Sequence, residues 1–127
     1  DGPRSASEAF QCALEGWGVV QSAQDVGTAI VAMGKRDISY DDGLPVPLRQ
    51  YRDGNLVRDL SLSAEVFEVV KSDDQHAYLR HPASADVRVG DVIAFGPTHP
   101  CTAFDKWDVA YRVDDSYTVT EALKTFF

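Results

Sequence analysis

With 127 residues, 44% of them hydrophobic and 25% charged, the chain has enough apolar side chains for one domain with its own core and no need of disulfide or metal staples. A net charge of -8 with scattered Lys and Arg excludes a surface built for the phosphate backbone, so nucleic acid is not expected as a partner. No run approaches the roughly 18 apolar residues that a membrane-spanning helix needs, so no membrane partner is expected either.

In chain order, Ser5 and Glu8 have the spacing of a capping box and could open a helix to Leu14. Phe10, Cys12 and Leu14 alternate, however, as a strand would. Thr28 to Met33 is β-branched and apolar between Gly27 and Gly34, which predicts a strand. Pro45 and Pro47 cannot donate to a ladder and predict an edge or a loop. Arg49 to Arg52, the pair Asp53-Gly54, and Asn55 to Arg58 predict a hairpin, because Asp-Gly supplies the positive φ angles of a tight turn. A second hairpin is expected from Val66 to Val70 and His76 to Arg80, turning at Asp73-Asp74. Val87 to Gly90 turn the chain into a strand ending at Phe95. Trp107 to Val113 form another strand, returned through Asp114-Asp115 by Tyr117 to Val119, and the segment from Thr120 to Phe127 is helix or strand. Strand and turn signals at this spacing predict a mainly β fold: a single small barrel or sandwich with one or two short helices.

The chemistry concentrates at His99-Pro100-Cys101, directly after the predicted strand Asp91 to Phe95. On an extended chain, positions i and i+2 share a face, so an imidazole and a thiol could converge on one zinc ion. Cys101, His99 and Asp105 also permit a reading as nucleophile, base and orienter, but no helix N-terminus is evident to lower the thiol pKa. His76 opens a strand after Asp74-Gln75, while His81 precedes Pro82 in a stretch expected to be exposed. The segment from Asp37 to Gly43 is acidic but not a calcium loop. Its Gly sits one place late, and Leu48 stands where a bidentate Glu is required, so a solvated acidic turn is expected. No Gly-rich strand-to-helix loop surrounds Lys35 and Arg36, which read as a salt-bridged surface pair rather than a phosphate site. Trp17, Trp107 and Tyr111 are expected as core or interface aromatics. Cys12 and Cys101 could pair, yet nothing else suggests a secreted scaffold, so a reducing, cytoplasmic location is expected. A start at Asp1-Gly2-Pro3 without Met suggests a chain that was processed or cut from something longer.

Gly90-Asp91-Val92, His99-Pro100-Cys101-Thr102 and Phe104-Asp105-Lys106-Trp107 together resemble the C-terminal domain of D-serine dehydratase and D-threonine aldolase relatives, the amino acid deaminase branch above all. Met33 to Asp41, Gly43 to Pro47, Asp74 to Ala77 and Thr125 to Phe127 extend the likeness. The resemblance implies that residues 1–127 are the β-rich C-terminal domain of a fold-type III pyridoxal phosphate enzyme, typically a homodimer. The partner it implies is an N-terminal β/α barrel that carries the cofactor and its lysine and is absent from this chain. Neither Lys35 nor Lys106 fills that lysine's role. Carried over, His99 and Cys101 are ligands of zinc or another divalent metal. His76, Gln75 and Asp105 become candidates for the surrounding pocket. The implied reaction is dehydration and deamination, or retro-aldol cleavage, of a D-3-hydroxy amino acid, with the isolated chain inactive. Two alternatives from the residues alone are a stand-alone β-barrel interaction module and a thiol hydrolase.

Overall fold

The computed structural model describes residues 12–61 and 65–127. Most of the stretch from Ser5 to Leu14 therefore lies outside the described residues, and residues 12–15 carry no regular structure. Among the described residues, seven strands build one antiparallel sheet: β1 (Gly16–Ser22), β2 (Thr28–Val31), β3 (Val46–Arg52), β4 (Asn55–Asp59), β5 (Glu68–Ser72), β6 (Ala77–Arg80) and β7 (Val92–Gly96). Their spatial order is β4-β3-β7-β1-β2-β6-β5. A separate hairpin joins β8 (Val109–Val113) to β9 (Val119–Lys124). The fold is thus mainly β, as expected, and its sheet is curled, bringing β3 close to β5. Among the described residues, the helical content is two single turns of 3-10 helix, Pro100–Thr102 and Phe104–Lys106. Among the described residues no helix is long and apolar enough to cross a membrane.

Period-two alternation puts one face of the curled sheet into the core. Val20, Val31, Leu79, Ile93 and Phe95 are fully buried there, and Met33 and Ile38 join the same cluster. Burying each large aliphatic or aromatic side chain contributes roughly 1.5–3 kcal/mol. β1 is the spine of the sheet: Gly16 to Val19 pair with β7, and Val20 to Ser22 pair with β2. Its sequence gives a poor strand signal because Gly16 and Gly18 interrupt it. Gly18 is there for space, since a Cβ would lie 2.8 Å from Val31 Cγ1 and 2.9 Å from Met33 Cβ.

The Asp53-Gly54 turn forms as expected, with φ of 51° and 77°, and joins β3 to β4. A Cβ on Gly54 would meet nothing within 4 Å, so Gly54→Ala isolates the cost of the left-handed backbone. We expect a loss of about 1–2 kcal/mol, read as a lower urea midpoint with an unchanged slope. The second hairpin turns slightly later than expected. Asp73 N–H donates to the His76 carbonyl at 2.8 Å, so Asp74 and Gln75 take its corner. Pro47 sits in β3, opposite Phe95 of β7. β4 joins β3 only from Arg49 onward, so the proline occupies a local edge, where no donor is lost. The ambiguous final segment supplies β9.

A carboxylate lies beneath this sheet. Asp91, 1% exposed, accepts from Arg52 Nε at 2.8 Å and Nη2 at 2.9 Å, from Gln50 Nε2 at 2.8 Å and from the Arg88 N–H at 2.9 Å. Burial pushes its pKa up, but the bonds from Arg52, Arg88 and Gln50 outweigh that and hold it below the usual carboxylate range.

Candidate functional site

The segment between β2 and β3 forms a loop gripped from two sides. On one flank, Lys35 N–H donates to the Asp73 carbonyl at 2.9 Å and Arg36 N–H to the Asp74 carbonyl at 3.0 Å, at the tip of the β5–β6 hairpin. Asp37 closes the first turn by accepting from the Gly34 N–H at 2.9 Å, and Ile38 plugs into the core at 3% exposure. On the other flank the loop meets the segment after β7. Trp107 Nε1 donates to the Asp37 carbonyl at 2.6 Å, and Thr98 Oγ1 to the Leu44 carbonyl at 2.7 Å. Buried Ser39 donates its hydroxyl to the carbonyl of His99. Lys35 and Lys106 place their ammonium groups 5.3 Å and 5.5 Å from the Tyr40 ring centre, so both lysines are cation–π partners of one tyrosine.

His99 has extended backbone, with φ -138° and ψ 118°. The chain then turns into the 3-10 helix at Pro100, whose fixed φ suits a first helical position. The extended geometry assumed for His99 and Cys101 thus stops at the histidine. His99 Nδ1 lies 2.8 Å from Asp41 Oδ2, and Thr102 Oγ1 donates to Asp41 Oδ1 at 3.2 Å. The bond to His99, above all, holds the Asp41 carboxyl below its usual range, with Thr102 adding to it. The ring thus presents Nδ1 to the carboxylate. Nε2 has no hydrogen-bond partner among the described residues. Cys101 is a free, exposed thiol with no hydrogen bond to any described residue, His99 included. No nucleophile–base contact joins the two.

By its chemistry this donor set, an imidazole nitrogen and a thiol that reaches solvent, suits a soft divalent ion. Among the described residues, no group of three His, Cys, Asp or Glu could hold a metal ion, so the chain offers an incomplete set. His76 and Gln75 lie on the opposite flank of the loop, beside Arg36, Asp73 and Asp74 around a surface depression of about 370 Å³. His76 Nε2 is 3.1 Å from Gln21 Oε1. Asp105 is exposed in the second 3-10 turn with no hydrogen-bond or ion-pair partner among the described residues. Arg36 reaches Asp74 at 4.0 Å, as a surface pair would. His81 corrects the expectation of exposure. It is 9% exposed, stacks on Phe67 and contacts the Pro82 carbonyl, because its N–H continues the β2–β6 pairing to Gly27 and turns the ring inward.

Asp41 was the residue hidden from the sequence. It stands 58 positions from His99, inside a stretch that reads as a solvated acidic turn. Only its place in the family-like run from Met33 to Asp41 marks it. A second cluster, Trp17 stacked on Tyr51 at 4.9 Å with Tyr117 at 5.1 Å, seats the β8–β9 turn on the sheet. Glu15 ties it together by accepting from Trp17 Nε1 and pairing with Arg49.

The family described as "Putative serine dehydratase domain" matches residues 13–113, a span that includes both flanks of the loop. The chain belongs to this serine dehydratase domain family. No curated protein matches the chain. Among solved structures, the D-threonine aldolase from Filomicrobium marinum is similar to this domain, with a TM-score of 0.70 and 26% identity. The alignment covers 97% of this chain and 30% of the aldolase chain. The serine dehydratase domain described here thus spans about 30% of that enzyme's length.

Proposed function

We propose that this domain is the metal-carrying, site-closing part of a pyridoxal phosphate lyase acting on D-3-hydroxy amino acids. The observation that carries the reading is the His99 ring, held through Nδ1 by Asp41 with Nε2 left as a donor, two residues before a free, exposed thiol. Family membership and the similarity to a D-threonine aldolase support the reaction class. His99 Nε2 and the Cys101 thiolate would hold zinc or another divalent ion. The ion supplies a Lewis acid for the substrate's β-hydroxyl, and pyridoxal phosphate supplies an electron sink. Cys101 loses its proton to water to become a ligand, which its exposure allows. Lys35 and Lys106, engaged with Tyr40, leave the cofactor lysine to an N-terminal β/α barrel, the partner we propose for this domain in a homodimeric parent. His76, Gln75 and Asp105 would border the substrate. We favour dehydration with deamination over retro-aldol cleavage, on the family match and on the soft second ligand. Two free thiols fit a reducing cytoplasm.

The test is oxo-acid release from D-serine or D-threonine by the barrel-containing enzyme, with and without chelator. His99→Ala and Cys101→Ala are expected to lower turnover on the order of 10²-fold while pyridoxal phosphate absorbance persists. Unchanged turnover in both variants would overturn the assignment. Without the barrel, the chain is expected to bind zinc only weakly, since two protein ligands are fewer than the three of a typical catalytic site.

A further inference from the structure

We infer that Asp41 is a positioning residue for His99: its carboxylate fixes the imidazole proton on Nδ1 and so presents the Nε2 lone pair to a divalent ion. The inference rests on the reading above that His99 is a metal donor. The carboxylate is itself held. Oδ2 takes His99 Nδ1 at 2.8 Å, while Oδ1 takes the Thr102 hydroxyl at 3.2 Å from the turn that also bears Cys101. The backbone of His99 is tied to the same loop, because the Ser39 hydroxyl donates to its carbonyl and Ser39 is only 1% exposed. Ring and main chain are therefore fixed to one loop at two points, two residues apart on that loop. In water a neutral imidazole favours the proton on Nε2, which would block the donor. A carboxylate at Nδ1 reverses that preference and raises the basicity of Nε2. Neither the 58-residue separation nor the acidic composition of the loop assigns this role.

The experiment uses ring-nitrogen NMR on this chain and calorimetric titration of the barrel-containing enzyme with zinc chloride. The wild type is expected to carry the His99 proton on Nδ1. Asp41→Ala should move it to Nε2 and weaken zinc binding roughly 10- to 100-fold. In Asp41→Asn the amide oxygen still accepts from Nδ1, so the tautomer should stay and the affinity should fall less. His99→Ala sets the floor. A proton that stays on Nδ1 in Asp41→Ala, or a wild-type affinity there while His99→Ala is impaired, overturns this inference alone. Equal affinity in the wild type and His99→Ala removes the metal site and this inference with it. If Asp41→Ala loses its folded amide spectrum, Asp41→Asn decides: weakened binding with the proton on Nδ1 supports the role, and unchanged binding overturns it.

Discussion

Asp91→Ala is expected to remove about 1.5–3 kcal/mol of folding stability, because it takes a buried carboxylate out of a hydrogen-bond network whose Arg52 side stays one-quarter exposed. Arg52 loses both bonds of its fork, and Gln50 Nε2 and the Arg88 N–H each lose an acceptor. The damage reaches further because Gln50 and Arg52 lie on β3, whereas Asp91 leads into β7, so the network staples two neighbouring strands. Asp86, on the surface, offers Arg52 only partial compensation at 3.2 Å. The pH dependence has a definite sign. The folded pKa of Asp91 is depressed, so its contribution is present above an unfolded value of about 3.9 and is lost as pH falls through the lower folded value. Urea unfolding at neutral pH should show the full gap between wild type and variant, and the gap should narrow below about pH 4. A gap independent of pH would mean that the loss comes from packing and not from charge.

Gly34→Ala is expected to cost about 2–3 kcal/mol, more than Gly54→Ala, although neither glycine is in a strand. A Cβ at Gly34 would stand 2.4 Å from the Asp73 carbonyl oxygen and 2.5 Å from the Asp74 carbonyl carbon. Both are main-chain atoms of a hairpin tip and cannot swing aside as a side chain would. The loop must lift, which breaks the bonds from Lys35 and Arg36 to that tip. The same loop bears Ser39 and Asp41, so the His99 ring signals should shift in the variant as the thermal midpoint drops. A variant with wild-type stability and unmoved His99 signals would show that the contact is softer than the geometry implies.

The hairpin at Asp53-Gly54 was legible because its conformation is decided by two adjacent residues. The β-branched, apolar run from Thr28 was legible because its own side chains report burial. β1 was not, since Gly18 is there to admit Val31 and Met33, a reason that lies on another strand. His81 misled for a related cause: the residue before a proline reads as loop, while the bond to Gly27 pulls it inward. At the site, His99 and Cys101 stood out as a pair of unusual residue types close together. Asp41, Thr102 and Ser39 did not, because ordinary polar residues acquire their roles only when the loop and the turn meet.

The place of β7 has a consequence for how the chain acquires its fold. β1–β2, β3–β4 and β5–β6 are neighbours in sequence and close over short loops. β7 comes last of the seven, yet it fits between β3 and β1. Until Val92 to Gly96 arrive, two strands keep open edges, and Asp91 has not reached Gln50 and Arg52. Long-range insertion of this kind is slow, and open edges recruit other chains. A polypeptide stopped just short of Val92 should therefore aggregate more readily than one extended through Gly96, making those five residues the lock that finishes the sheet.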